Sequence, residues 1–232
     1  MSSEADQVRQ RYARRLSSVE PDRYSLLKPD VWQTVQERQR AMLRLFARLG
    51  WAELSTKRVV EVGCGSGGNL LELLRIGFAP EHLLGIELLE DRFALARHTL
   101  PPALSLLRGD ATQAEIASGS IDLVLQSTVF TSLLQADARA ALAAAMWRWV
   151  KPGGGVLWYD FTVDNPRNPD VRGVPVKAIR ALFPQGHFTI QRVTLAPPFA
   201  RAVCRIHPLL YPLFNALPPL RTHVLAWIEK PR

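Results

Sequence analysis

Apolar residues along the chain fall into short runs separated by polar turns and amphipathic stretches. Val59, Val60 and Val62 make a β-branched run that suits a buried parallel strand. Gly63, Gly65, Gly67 and Gly68 follow, and Leu70, Leu71, Leu73 and Leu74 then open a helix. His82 to Glu87 reads as a second strand ending on an acid. Asp91 to Leu100 reads as a helix stopped by Pro101-Pro102. Leu104 to Leu107 and Ile121 to Leu125 are two further strands, the latter entered through the turn Ser118-Gly119-Ser120. The alanine-rich stretch Asp137 to Val150 is a helix by propensity. Lys151-Pro152-Gly153-Gly154 breaks it before a fifth strand, Gly155 to Phe161.

Beyond Asn165 to Val174, which has loop chemistry, the pattern predicts a helix over Val176 to Phe183 and a strand over Phe188 to Leu195. A proline-bounded apolar segment over 199–216 and a closing strand over Arg221 to Glu229 follow. Ahead of the first strand, residues 5–19 have helical composition rich in Arg. A second helix runs from Pro29 to Leu49 and ends at Gly50. Strand-then-helix alternation predicts an α/β protein built on a doubly wound, mostly parallel sheet. No repeat or linker divides it. The expected organisation is a single domain over 1–232, with a helical cap (1–50), a cofactor-binding core (51–164) and a substrate-side C-terminal part (165–232).

Composition narrows the class without changing that picture. A chain of 232 residues with 47% hydrophobic and 22% charged residues is ordinary for a globular domain. No apolar run reaches the roughly 18 residues of a membrane span. The N-terminus lacks the pattern of a secretory signal. Cys64 and Cys204 have no metal-ligand spacing, so free thiols and a cytoplasmic setting are expected. The formal charge of +8 is uneven: from Asp164 onward ten Lys and Arg stand against three Asp and Glu. Such a surface attracts phosphate, carboxylate or anionic lipid, or is simply solvated. Nucleic acid is disfavoured, since no nucleic-acid motif accompanies the charge.

Gly63, Gly65 and Gly68 satisfy Gly-x-Gly-x-x-Gly, with Glu87 at a distance suited to a ribose contact; a dinucleotide site would show the same. Three features discriminate. Glu61 precedes the first glycine, where a pyrophosphate would be repelled and a cationic amino group would not. Asp110 closes the third strand, where a carboxylate can accept from an adenine amino group. Lys-Pro-Gly-Gly before the fifth strand and a closing C-terminal strand complete the order.

On Glu61-Val62-Gly63-Cys64-Gly65-Ser66-Gly67, Glu87, Asp110-Ala111 and Ile121-Asp122-Leu123-Val124, the chain resembles the class I S-adenosylmethionine-dependent methyltransferases. The match runs over about 58–161. It resembles, more loosely, bacterial members of cell-surface glycan or natural-product pathways. The resemblance implies a Rossmann-like sheet of seven strands, the last antiparallel, with S-adenosylmethionine as cofactor and S-adenosylhomocysteine as product. It implies that Gly63, Cys64, Gly65 and Gly67 back the cofactor, Glu61 holds its amino group, Glu87 its ribose hydroxyls, and Asp110 with Ala111 its adenine. Gln126 would border the same site, and Tyr12 and Tyr24 would close over it. A capping or turn role is the plain alternative for Glu61 and Asp110.

Methyl transfer from a sulfonium asks for orientation of donor and acceptor and, for a protonated acceptor, removal of a proton. Segments at the carboxyl ends of the strands would wall the acceptor, here Thr128 and Phe130, with Arg167 and Arg172 in the loop beyond. Asp160 is the candidate base, with Tyr159 beside it and His223 as a second base; a turn-capping role for Asp160 is equally open. No metal is expected. Gln126-Ser127-Thr128-Val129 departs from the Asn/Asp-Pro-Pro-Tyr/Phe motif of amino methylases, which favours methylation at oxygen. The expected acceptor is a small or lipid-linked metabolite, anionic if the basic surface serves it, handled by a monomer or homodimer. Residues 196–220 either cover the substrate or pack as a helix on the sheet edge. Rival readings are methylation of an amine or peptide, a nicotinamide-dependent oxidoreductase, and a non-catalytic cofactor-binding protein.

Overall fold

A computed structural model describes residues 3–16, 22–166 and 168–232. Seven strands, β1 (Val59–Val62), β2 (Leu83–Glu87), β3 (Ser105–Arg108), β4 (Ile121–Ser127), β5 (Val150–Phe161), β6 (His187–Leu195) and β7 (Arg221–Glu229), form one sheet in the order β3-β2-β1-β4-β5-β7-β6. The first five run parallel, and β7 pairs antiparallel with both β5 and β6. This is the expected Rossmann-like sheet. Strand β5 begins at Val150, earlier than the glycines suggest, through a register irregularity against β4.

The helices are α1 (Glu4–Leu16), α2 (Pro29–Arg48), α3 (Gly68–Arg75), α4 (Glu90–Thr99), α5 (Ala136–Trp149), α6 (Val176–Leu182), α7 (Pro197–Ile206) and α8 (Leu210–Asn215). Pro29 sits in the first turn of α2, where its missing N–H goes unneeded, and Asp30 beside it favours the positive end of the helix.

Strand side chains alternate between two faces, and the core divides accordingly. Val60, Val62, Val124, Val156 and Trp158 pack with α5 and α6. Val59, Leu123, Leu125, Leu157 and Tyr159 pack with α2, α3 and α4. Strands β1 and β4 are buried on both faces, as central parallel strands must be. The chain leaves β1 toward β2 on one side and meets β4 on the other. The carboxyl end of β1 is therefore a topological switch point, where open α/β sheets bind ligands.

The C-terminal part adds two short helices in place of the undivided apolar segment. Tyr211 of α8 is buried with Leu195, Ala200, Val203 and Cys204. Gln33 of α2 donates to the Pro208 carbonyl at 3.3 Å, and the Thr34 and Tyr211 hydroxyls pair at 3.3 Å. Residues 197–220 thus pack on the flank of α2.

Candidate cofactor and acceptor site

The turn after β1 is built by glycine because its backbone demands it. Gly63 and Gly65 sit at φ +64° and +58°, and a Cβ on Gly63 would lie 2.6 Å from Val129 Cγ2. The Gly65 N–H donates to Glu87 Oε2 and the Leu89 N–H to Glu87 Oε1, each at 2.8 Å. Glu87 thereby ties the glycine turn to the end of β2. Each of its oxygens keeps acceptor capacity beyond the one bond it takes. A Cβ built on Gly65 would meet nothing closer than Arg92 Nη1, at 3.9 Å, so this backbone lies open to an approaching ligand.

The cleft beside it is walled by Val62, Gly63, Glu87, Asp110, Ala111 and Thr128, and roofed by Glu4, Val8 and Tyr12 of α1. Asp110 Oδ1 accepts from the N–H and hydroxyl of Thr112, both at 2.9 Å. The carboxylate thus caps a short turn over Ala111–Gln113, so the capping alternative holds for one oxygen while the residue still faces the cleft.

Helix α1 is pinned in place by a buried pair. Arg11 Nη2 donates to Glu4 Oε1 at 2.7 Å and to the Ser132 carbonyl at 3.0 Å, and the Leu134 N–H donates to the same Glu4 oxygen. The Tyr12 hydroxyl lies 3.1 Å from Ser132 Oγ, and the Arg92 guanidinium stacks 4.6 Å over its ring. Tyr24 is exposed and is not part of the cleft wall.

Glu61 lies just behind the turn, fully buried. Its Oε1 accepts from Asn69 Nδ2 at 2.6 Å, while its Oε2 is buried with no partner. Burial pushes its pKa up to about 7, against the opposing pull of Asn69 and Arg38. Arg38 continues the chain of contacts, donating to Asn69 Oδ1 at 2.6 Å and lying 3.5 Å from Glu72. An orphaned carboxylate oxygen behind a glycine turn fits a cofactor that carries an ammonium group. Glu87 fits its paired hydroxyls. Cys64 is buried against the core and burial drives its thiol well up, so it serves as a small turn residue.

The acceptor-side expectations divide. Thr128 lines the cleft with φ +60°, a conformation that costs a non-glycine residue energy and concentrates at functional loops. Phe130 is a core residue instead, fully buried with its ring centroid 4.4 Å from that of Trp158. Gln126 is also fully buried; its Oε1 accepts from the Val129 N–H at 3.1 Å and braces the loop rather than bordering the ligand.

Asp160 is wholly inside, accepting from the N–H groups of Thr131 (3.2 Å) and Phe161 (3.0 Å); burial raises its pKa to about 7. That geometry is the capping reading, not that of a base facing a substrate. Tyr159 and His223 stack at 5.1 Å on the α2 face of the sheet, away from the cleft wall. The Tyr159 hydroxyl pairs with Thr194 at 2.8 Å. Burial first, and Arg38 second, lower the His223 pKa to about 4. Arg172 is exposed, its N–H bonded to the Thr131 carbonyl, and Arg167 lies outside the described residues. Among the described residues no group of three or more His, Cys, Asp or Glu is placed to hold a metal.

Sequence reasoning missed Arg38, Asn69, Arg92 and the Glu4–Arg11 pair. All of them lie on helices, where the local pattern gives no sign of these partners. The signal that was present is an Asn in the first turn of α3, aimed back at the strand-end acid.

Residues 59–154 match a family described as a methyltransferase domain. The phthiotriol/phenolphthiotriol dimycocerosates methyltransferase 1 of Mycobacterium ulcerans is 34% identical over 132 residues, which are 55% of this chain and 47% of that protein. The fatty-acid O-methyltransferase of Mycolicibacterium smegmatis is 34% identical over 111 residues, 47% of this chain and 39% of its own. The chain spans half or less of the length of these curated relatives. Among solved structures, phosphoethanolamine N-methyltransferase 1 of Haemonchus contortus, in complex with phosphoethanolamine and S-adenosylhomocysteine, superposes with a TM-score of 0.66 at 14% identity. The superposition covers 100% of this chain and 50% of that one, and at that identity it speaks for the fold alone. The matched segment and the sheet make residues 59–154 similar to a methyltransferase domain, on a fold shared with S-adenosylmethionine-dependent methyltransferases of known structure.

Proposed function

We propose that the protein transfers a methyl group from S-adenosylmethionine to an oxygen of a small or lipid-linked acceptor. The observation that carries the cofactor half is Glu87: two N–H bonds fix its carboxylate at the cleft and leave each oxygen able to accept from a ribose hydroxyl. When bound, S-adenosylmethionine supplies a methyl on a sulfonium, whose leaving thioether needs no proton. Glu61 would take the amino group with its orphaned oxygen. The Ala111 amide and the second oxygen of Asp110 would meet the adenine. Helix α1, held by Glu4 and Arg11, roofs the cleft.

The acceptor half is supported by kinship: the names of the relatives above place their chemistry on lipids, one of them explicitly at oxygen. Thr128 presents the strained loop on which an acceptor would lie. Asp160 is a positioning residue that holds this loop through Thr131. The two buried free cysteines favour a cytoplasmic protein, acting as monomer or homodimer.

Thermal shift with S-adenosylhomocysteine and with NADH tests the cofactor, because only a ligand that prefers the folded state raises Tm. Stabilisation by the former is expected, and a response to NADH alone overturns the reading. Methyl transfer to long-chain fatty acids and hydroxylated lipids is expected to exceed transfer to ethanolamine-type amines; the reverse order overturns the oxygen assignment.

A further inference from the structure

Away from the cleft, segment 197–220 turns one side inward and leaves the other uncovered. Ala200, Val203, Cys204 and Tyr211 are buried against β6 and α2. Outward stand Phe199, Ile206, Leu209, Leu213 and Leu217, with Ile206 78% and Leu209 70% exposed. Scattered exposed leucines need no explanation, but five large apolar side chains on 19 residues mark a surface that something covers.

Charge says what. Arg201 and Arg205 sit one turn apart on α7, exposed, and neither enters an ion pair among the described residues. From Val171 to Ile228 the chain has seven Lys and Arg and no Asp or Glu. A second copy docking the same face would set arginine against arginine. An anionic bilayer supplies both needs, phosphates for the arginines and an apolar boundary for the leucines. Helix α7, with 10 residues, is about 15 Å long, and a short cationic amphipathic helix of this kind lies in the plane of an interface.

We propose that segment 197–220 docks the protein on the surface of an anionic lipid bilayer, with Ile206, Leu209 and Leu213 at the headgroup boundary and Arg201 and Arg205 on phosphates. The docking stands on exposure and charge, not on the identity of the methyl acceptor. It would, however, deliver the enzyme to where a lipid-linked acceptor resides.

The test is cosedimentation of the full chain with vesicles of phosphatidylcholine alone and of phosphatidylcholine mixed with phosphatidylglycerol. Binding to the anionic vesicles is expected to be stronger by on the order of tenfold, weakening as salt rises. The double variants Ile206→Asp/Leu213→Asp and Arg201→Glu/Arg205→Glu should each reduce it by a similar factor, with the Tm shift from S-adenosylhomocysteine unchanged as proof of folding. Absence of vesicle binding overturns the proposal, as does binding that survives both double variants. So does a dimer in sedimentation velocity that Ile206→Asp/Leu213→Asp dissociates without any vesicle partition.

Discussion

The two halves of the sheet use buried polar groups in opposite ways. At the carboxyl ends of β1, β2 and β3, polar atoms keep unused capacity: Glu61 Oε2 is buried behind the glycine turn with no partner, and Glu87 and Asp110 stand on the cleft wall. Around β5, β6 and β7, the buried oxygens of Tyr159, Thr194 and Asp160 are consumed by protein partners, and the atoms left over are the indole N–H groups of Trp158 and Trp227. The Tyr159 hydroxyl takes Thr194, and Glu37 accepts from the Thr194 N–H at 2.8 Å, which holds Thr194 at φ +65° inside a strand. Both Asp160 oxygens take backbone donors. An unsatisfied buried group costs free energy until a partner relieves it, and a carboxylate oxygen left unpaired at a strand end beside the glycine turn is better suited to meet a ligand than an indole N–H inside the apolar core.

The largest expected effect comes from trading one residue in each half. Glu87→Ala strands the Gly65 and Leu89 N–H groups, each costing about 1–3 kcal/mol, and removes the ribose acceptor. S-adenosylhomocysteine affinity by calorimetry should fall by on the order of a hundredfold or more. Tyr159→Phe removes one buried hydroxyl bond, about 1 kcal/mol of stability, and should leave affinity and kcat within about twofold. A collapse of kcat in Tyr159→Phe with Tm nearly held would break the comparison and return Tyr159 to the reacting centre.

Next comes pH. The folded-state pKa of Glu61 is raised from 4.5 to about 7 by burial, so the ionised form is disfavoured in the empty protein. Its contribution to stability is complete below pH 4.5 and lost as pH rises through 7. Asp160, raised from 3.8 to about 7, loses its contribution over an overlapping window. Only Glu61 should couple to the ligand. If the ionised carboxylate meets the ammonium group, S-adenosylhomocysteine affinity falls about tenfold per pH unit below 7, and Glu61→Gln flattens that profile. Apo stability of Glu61→Gln, followed by denaturant titration, should gain on the unsubstituted protein between pH 5 and 8. An unchanged binding profile in Glu61→Gln would place the amino group elsewhere.

What could be read from the chain follows the same division. All seven strands were legible because each is a short apolar run with turn chemistry at its ends. Part of the cleft wall was legible because its residues sit at strand ends in a fixed order: Gly63, Glu87, Asp110. Phe130 and Gln126 were misplaced because the loop after β4 folds back into the core, and no local pattern distinguishes a residue facing in from one facing out. Asp160 looked like a base because it ends a strand. Its role is set by Thr131, some thirty residues earlier in the chain. Arg38 is invisible for the same reason, since its partners Asn69 and Glu72 are distant in sequence.

The smallest predicted effect tests how the roof is held. Tyr12 contributes both a ring and a hydroxyl to the cleft edge, the ring beneath Arg92 and the hydroxyl at Ser132. Tyr12→Phe forfeits the hydroxyl bond, a net of about 0.5–1.5 kcal/mol, and keeps the ring. Because the buried Glu4–Arg11 pair fixes the same helix, α1 should stay docked, with S-adenosylhomocysteine affinity changed by no more than about threefold. Tyr12→Ala removes the ring as well, forfeiting a further 0.5–1 kcal/mol or so from the cation–π contact, and should weaken affinity several times more. If Tyr12→Phe alone matches Tyr12→Ala, the hydroxyl and not the ion pair is the latch, and the roof belongs with the ligand-responsive half of the molecule rather than with the scaffold.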